Sequence, residues 1–289
     1  MEEKLRITSK LLPSTTQKVV ASHKDFSPMP QLFQVDAFTS DLFKGNPAAV
    51  CPLNTWPDDT TLQHIARENN LSETAFFMRE HDGYRLRWFT PTVEVDLCGH
   101  ATLATAHVLW NHLDYAQDEI RFFSNSGELL VRRNGDSISM SFPNDELFEY
   151  KDDSHDVAYS IGLEPDEIYR GKYDLLCVYK EKNDILCMTP DFHRLKRLEV
   201  RGVIITAPGS DADFVSRFFA PQSGINEDPV TGSAHTTLTA YWSKKLGKTQ
   251  LHAQQLSNRG GQIDCELLGN RVELTGKART YLIGEYYLD

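Results

Sequence analysis

The pattern of apolar and polar positions predicts two helices that are buried on all sides. Residues 101–110 and 234–242 contain no charged side chain and neither glycine nor proline. A helix without a polar face is usually surrounded by protein. Residues 97–113 are too short, and with three histidines too polar, for a membrane span. We therefore expect two buried helices of a soluble protein, each surrounded by a sheet.

Alternating and amphipathic patterns predict further elements. Residues 84–88 alternate between apolar side chains and arginine, the period of a half-buried strand, and residues 214–219 alternate less cleanly. After Pro57, either Asp58 or Asp59 can cap a helix. The apolar face of that helix consists of Leu62, Ile65 and Ala66.

The same order of landmarks occurs twice along the chain. Each series starts with an arginine, an aromatic residue, phenylalanine, a small residue and proline, and continues through an acidic turn to a glycine that precedes a buried helix. Two further glycine turns follow at nearly equal distances. We infer a duplicated unit of about 130 residues and hence two lobes of one fold. The paired landmarks are 87–91 with 217–221, Gly99 with Gly232, 124–127 with 257–260, and 135–140 with 269–274.

The duplication suggests where the chain divides. Residues 145–170 are acidic and loop-like apart from a short helical piece near 157–161, and we expect them to connect the lobes. The predicted division is a flexible N-terminal extension at 1–30, a first lobe at 31–142 with a C-terminal strand at about 278–289, and a second lobe at 143–277.

Composition excludes several classes of protein. The 289 residues are 40% apolar, enough for a sizeable core, and 30 basic against 41 acidic side chains give a net charge of −11. That charge argues against nucleic acid or an anionic membrane as a partner. Five dispersed cysteines without a CxxC pair argue against a zinc ribbon and a disulfide framework. The first residues lack a secretory signal, and Glu2 and Glu3 oppose a mitochondrial presequence, so we expect a cytoplasmic protein.

The two duplicated helix starts are candidate anion sites. The first amide groups of a helix have no partner within the helix, and its dipole adds positive potential there. Gly99 and Gly232 would let a carboxylate or enolate oxygen come close to the backbone. The alternative is that these glycines only permit tight packing.

Three titratable residues lie on or beside these turns. Asp228 precedes the second helix, where it could instead be a helix cap. His100 stands at the first helix start, where the dipole should keep its imidazole neutral; alternatively it is a hydrogen-bonded core histidine. Glu73 adjoins an apolar run, which disfavours its charged form and suits it to proton transfer, unless it faces solvent.

Other chemistries find little support. The histidines form no pair at metal-ligand spacing backed by carboxylates, and neither a Gly-x-Ser-x-Gly motif nor a P-loop occurs. We therefore expect no metal. Cys98 is the one thiol at a helix start, where its pKa should fall. Its counterpart in the second half is Thr231, so a mechanism with two thiols cannot be assembled.

Four motifs in order resemble the PhzF-like phenazine biosynthesis family, which shares the diaminopimelate epimerase fold. The likeness runs from about residue 32 to the C-terminus, and its wording is most like the animal members. The resemblance implies an α+β fold of two similar lobes, each a barrel-like, mostly antiparallel sheet around a central helix, with the active site between them. The matching segments are 35–39 with 45–50, 70–76, 97–102 and 227–234.

The resemblance also implies a reaction and its residues. Glu73 matches the family's catalytic glutamate, which moves a proton on a conjugated substrate, and His100 and Asp228 match its other catalytic positions. Gly99, Gly232 and Ser233 match substrate-binding positions. We therefore expect an isomerase that needs no cofactor and acts on a small carboxylate-bearing carbon acid. Because family members are often dimers, a homodimer is a further expectation.

Two alternatives stay open. A protein of this fold could work mainly by binding a partner protein, with little or no catalysis; a closed cleft and a large apolar outer patch would favour this reading. The other alternative is an epimerase or racemase of a small acid, which the loss of the second thiol disfavours.

Overall fold

The computed structural model describes residues 29–151 and 154–288, so the predicted N-terminal extension falls, up to residue 28, outside the described residues. The helices are α1 Asp59–Asn69, α2 Gly99–His112, α3 Ser154–Ile161, α4 Lys182–Cys187, α5 Phe192–Leu195 and α6 Gly232–Leu246. The strands of the first half are β1 Gln31–Ala37, β2 Asn46–Pro52, β3 Glu73–Glu80, β4 Gly83–Phe89, β5 Glu94–Val95, β6 Glu119–Ser124, β7 Gly127–Asn134, β8 Ser137–Pro143 and β9 Phe148–Glu149. Those of the second half are β10 Glu167–Arg170, β11 Asp174–Val178, β12 Gly202–Pro208, β13 Phe214–Ala220, β14 Ile225–Asp228, β15 Gln250–Gln255, β16 Gly261–Leu268, β17 Arg271–Gly276 and β18 Ala278–Glu285.

Strand pairing shows the duplication directly. In the first half, β2 is parallel to β3, β4 is parallel to β6, and the remaining neighbours from β1 to β8 are antiparallel. In the second half, β11 with β12 and β13 with β15 repeat the two parallel pairs in the same order. The α+β fold of two similar lobes is therefore confirmed.

The two lobes share one continuous sheet. β8 pairs antiparallel with β17, which joins the lobes, and β18 pairs antiparallel with β1. Because hydrogen bonding continues from lobe to lobe, pairing alone does not mark a boundary, and the division at 142 and 143 stays a prediction.

The glycine turns that revealed the repeat have a conformational reason. Gly127 and Gly260 both have positive φ, at 102° and 68°, and each precedes or begins the second strand of a hairpin. This left-handed region is costly for side chains other than glycine.

The predicted central helices are largely buried. In α2, every residue from His100 to Ala106 is buried, because the sheet of the first lobe surrounds it. The predicted helix after Pro57 is α1, with Asp58 as N-cap and its predicted apolar face buried. The loop predicted over 145–170 is partly wrong, since β9 and β10 lie there and pair with each other. Among the described residues, no helix combines the length and apolarity that a membrane crossing requires.

Candidate active site

The starts of α2 and α6 face each other between the lobes. A Cβ atom built on Gly99 would lie 3.7 Å from the Cα of Gly232, which is ordinary contact distance. Neither glycine has a positive φ, so neither the backbone nor packing requires glycine at these positions. The alternative explanation, that they serve tight packing only, is therefore weakened.

Amide groups at both helix starts lack side-chain capping. The N-cap residues, Cys98 for α2 and Thr231 for α6, make no capping hydrogen bond through their side chains within the described structure. Ser233 follows Gly232 in the first turn of α6 and is partly buried. Uncapped first-turn amides beside each other create positive potential where the lobes meet.

An equivalent ion pair fixes the turn before each helix. Arg87 binds Glu94 with two hydrogen bonds, of 2.8 and 2.7 Å, and Arg217 binds Glu227 with two, of 2.7 and 3.0 Å. Each glutamate lies five residues before the glycine that begins the helix. Such bidentate pairs are geometrically specific, so they hold the two approaches to the helix starts in one shape.

Glu73 lies at the start of β3, beside the start of α2. Its Oε2 atom is 3.1 Å from Nε2 of His100, and the side chains are 12% and 5% exposed. Glu73 is thus not a solvent-facing strand charge. The two atoms form a close ion pair when His100 is protonated, and neither meets a further hydrogen-bond partner among the described residues. A buried pair whose facing atoms have no further partner is uncommon, which makes this position a candidate site.

His100 is charged more readily than the sequence predicted. Burial disfavours the imidazolium, but the negative charge of its neighbours outweighs burial and raises the pKa of His100 well above its ordinary value. We assign the effect to Glu73, because the Cys98 thiol is protonated near neutral pH. The prediction of a neutral imidazole is therefore wrong: the dipole of α2 is weaker than a carboxylate in contact.

Asp228 ends β14 and is buried on the second-lobe side of the site. Its Oδ1 accepts a hydrogen bond of 2.8 Å from the Asn46 amide, and its Oδ2 accepts one of 2.5 Å from the Thr231 hydroxyl. Burial, together with the Glu73 carboxylate, raises the pKa of Asp228 to about 6, although His100 opposes the rise. Asp228 is not the N-cap of α6, since that position belongs to Thr231.

The pKa of the Cys98 thiol differs from the prediction. Burial, and then the Glu73 carboxylate, raise the pKa of Cys98 to about 11, so the predicted fall in its pKa is wrong. Desolvation of the thiolate exceeds the effect of the helix start. The Sγ atom lies 3.5 Å from Nδ1 of His100.

One group of donor atoms has the spacing of metal ligands. Atoms of Glu73, Cys98 and His100 lie within 4.8 Å of one another. However, Glu73 contacts Nε2 of the imidazole and Cys98 contacts Nδ1. The two nitrogens point in different directions, so an ion on either nitrogen would be turned away from one of the other donors. The geometry disfavours a metal ion, and its absence stays a prediction.

The strand register shows that the two lobes contribute different residues to the site. Thr74 pairs with Phe89 as Val203 pairs with Phe219, so the position equivalent to Glu73 is Gly202. A Cβ on Gly202 would lie 2.4 Å from the Phe218 ring, which fills the space where a second carboxylate would stand. The second lobe therefore has no counterpart of Glu73.

Sequence reasoning missed two buried amides. Asn46 contacts both His100 and Asp228, and Gln255 donates to the Asp228 carbonyl at 2.7 Å and accepts from the Thr231 amide at 2.9 Å. Asn46 stands in a segment that carried the family resemblance, which is the only signal that could have found it.

Two surface cavities lie away from this cluster. One of about 290 Å³ is lined by residues such as Arg79 and Tyr115, and one of about 560 Å³ by residues such as Lys172 and Arg201. Neither is lined by Glu73. The helix starts are in contact, and the candidate site is assigned to the buried cluster by the chemistry of its residues.

Comparison with known proteins agrees with this fold. A solved structure from Enterococcus faecalis, described as phenazine biosynthesis protein PhzF family, superimposes with a TM-score of 0.85 at 46% identity and covers 90% of this chain and all of its own (100%). The class is thus the two-lobe PhzF fold. A sequence model of the family described as phenazine biosynthesis-like protein matches residues 35–284, and the chain belongs to this family.

Two curated relatives span nearly the whole matched region. A Pseudomonas aeruginosa protein named "Uncharacterized isomerase" is 52% identical, over 89% of this chain and 98% of its own. The Homo sapiens phenazine biosynthesis-like domain-containing protein is 39% identical, over 88% and 97%. The bacterial relative is therefore more similar than the human one, although the wording of the motifs had suggested the animal members.

Proposed function

We propose that this protein is an isomerase that moves a proton on a small, carboxylate-bearing carbon acid. Glu73 acts first as the base and then as the acid, and no cofactor takes part. The name "isomerase" carried by the Pseudomonas aeruginosa relative supports the general class. The contact between Glu73 and His100 supports the proposed roles of these two side chains in proton transfer.

That contact is the observation on which the proposal rests. Oε2 of Glu73 and Nε2 of His100 lie 3.1 Å apart in nearly buried side chains, while Nδ1 of His100 contacts Asn46 and Cys98. The two facing atoms pair with each other, and no further hydrogen-bond partner among the described residues reaches them. A substrate between the lobes would supply that partner.

The chemistry follows from the positions of these groups. The Glu73 carboxylate takes a proton from a substrate carbon, and the electron pair of the broken C–H bond passes into the conjugated carboxylate as an enolate. Amides at Gly99 and Gly232 stabilise the developing charge; a single donor of this kind typically contributes about 3 kcal/mol. His100 and Asp228 orient the substrate or relay the proton. The Glu73 carboxyl then exchanges its proton with solvent and protonates another carbon, which regenerates the base.

One carboxylate fits an isomerase with a single base better than an epimerase or racemase. A racemase that works through paired groups needs an acid and a base on opposite faces of one carbon. Here Gly202 replaces the counterpart of Glu73, and Thr231 replaces that of Cys98. Returning the proton to a different carbon needs only one group that stays in reach.

A second candidate function is the binding of a partner protein. The cluster is nearly buried, and Phe43, Tyr281 and Ile283 are 65%, 48% and 55% exposed. The rings of Phe43 and Tyr281 are 5.6 Å apart, so they belong to one apolar surface. This surface is a specific reason to keep the alternative.

Heavy water distinguishes the two functions. The purified protein is incubated in D2O with an extract of small metabolites, and the masses of the carboxylic acids are followed, with heat-inactivated protein as control. An isomerase transfers solvent deuterium to carbon, so the mass of at least one acid increases in a non-exchangeable position. If no acid gains deuterium, the isomerase proposal fails and the binding function is favoured.

A further inference from the structure

Asn46 connects the two lobes inside the candidate site. It is the first residue of β2 and is fully buried. Its Nδ2 atom lies 2.8 Å from Oδ1 of Asp228, 2.9 Å from the carbonyl oxygen of Val230 and 3.2 Å from Nδ1 of His100. Two of these atoms belong to the second lobe and one to the first. No other side chain in the described site touches both His100 and Asp228 by hydrogen-bond distance.

The backbone before Asn46 is held from both sides. Gly45 has a φ of +65°, and a Cβ on it would lie 2.2 Å from the carbonyl oxygen of Ala37. Its amide donates to the carbonyl of Gly260 at 2.7 Å, and its carbonyl accepts from Arg259 Nε at 2.8 Å. A residue fixed in this way has little freedom to move its side chain out of the interface.

The chemistry of the amide suits Asp228. A side-chain amide has two hydrogens, and the two shorter contacts, to Asp228 and Val230, use them. An amide hydrogen bonded to a carboxylate favours the charged carboxylate without adding a net charge to the cleft. The opposite atom, Oδ1 of Asn46, is buried without a hydrogen-bond partner among the described residues. Stability alone does not explain such an amide, because an unpaired buried acceptor is unfavourable.

We propose that Asn46 is a positioning residue that holds the Asp228 carboxylate against the first lobe and favours its ionised form. As a role in catalysis, this rests on the proposed function. Other charges act on Asp228 as well: Glu73 from β3 disfavours its ionised form, and His100 from α2 favours it. Arg201, before β12, also interacts electrostatically with Asp228.

The test is a titration of Asp228 and His100 in the folded protein. Carbon-13 NMR of labelled aspartate and nitrogen-15 NMR of labelled histidine give the two midpoints in the wild type and in Asn46→Leu, which has a similar volume and no amide. The midpoint of Asp228 should rise by about one pH unit or more in the variant. Asn111→Ala removes an exposed amide of α2 and should change neither midpoint.

Asn46→Ser keeps the test valid if Asn46→Leu does not fold. The shorter hydroxyl is too far from Asp228 to replace the amide, so the same shift is expected. An unchanged midpoint of Asp228 in the folded variant would overturn the proposal. The readout is titration and not turnover, so a protein that fails to exchange deuterium would refute the proposed function and leave this measurement interpretable.

Discussion

The Arg259 guanidinium of the second lobe donates a hydrogen bond of 2.7 Å to the Asp36 carboxylate of the first lobe. Arg259 also donates to the carbonyl oxygens of Lys44 and Gly45, each at 2.8 Å. Asp36 is 3% exposed and Arg259 is 30% exposed. Gly45 directly precedes Asn46 in the chain, so these contacts of Arg259 join the lobes next to the candidate site.

Arg259→Ala should destabilise the protein by about 2–4 kcal/mol, since it leaves the buried Asp36 carboxylate without its ion-pair partner. The measurement is the free energy of unfolding in urea at pH 7. Arg132→Ala is the matched control, because its pair with Glu119 is 59% and 45% exposed, and it should cost less than about 1 kcal/mol. If the two substitutions lower the free energy of unfolding equally, the buried contact between the lobes contributes no more than an exposed ion pair.

Two glycines should respond differently to alanine. Gly99→Ala places a methyl group at ordinary contact distance, so the free energy of unfolding should change by less than about 1 kcal/mol. Its deuterium transfer should nevertheless fall, because the methyl group narrows the approach to the α2 amides. Gly202→Ala forces a Cβ to 2.4 Å from Phe218 and should cost about 1–3 kcal/mol. A large loss of stability in Gly99→Ala would mean that packing explains this glycine after all.

Stability should depend on pH through His100. The pKa of His100 is raised in the folded protein, so its charged form stabilises the fold below the ordinary value of 6.5. As pH rises through the folded value, that contribution is lost, and the free energy of unfolding should fall by up to about 1.4 kcal/mol per pH unit. Urea unfolding between pH 6.5 and pH 9 measures the slope. His100→Gln should lose this slope, and an unchanged slope would contradict the assignment.

Asp228 should also make the protein less stable as pH rises, but over a lower pH range than His100. Its pKa is raised from 3.8 to about 6, so the folded state binds its proton more tightly than the unfolded state does. Stability should therefore fall as pH rises from 3.8 to about 6, below the range in which His100 acts. The two contributions lie in different pH ranges, and Asp228→Asn should remove the lower one.

Local pattern predicted much of the fold. The uncharged runs predicted α2 and α6, and glycine spacing predicted the duplication, because periodicity and turn residues are local signals. The short strands β9 and β10 were missed, since their acidic segment lacks an apolar alternation and the two strands, which pair with each other, are separated by α3 and its loops.

The residues of the site were easier to predict from the sequence than their charge states. Glu73, His100 and Asp228 were identified, but the charge of His100 depends on contact with Glu73, which no helix-based argument contains. Asn46 and Arg259 act on residues about 180 to 220 positions away, and such contacts leave no pattern in a single sequence.

Solvent deuterium transfer by Glu73→Gln tests the central claim most directly. The substrate is the acid that gains deuterium with the wild type, and Glu80→Gln, at the other end of β3, is the matched control. Removal of the base should lower the rate of transfer by about 10³-fold while Glu80→Gln stays near the wild type. Transfer by Glu73→Gln at the wild-type rate would contradict the account.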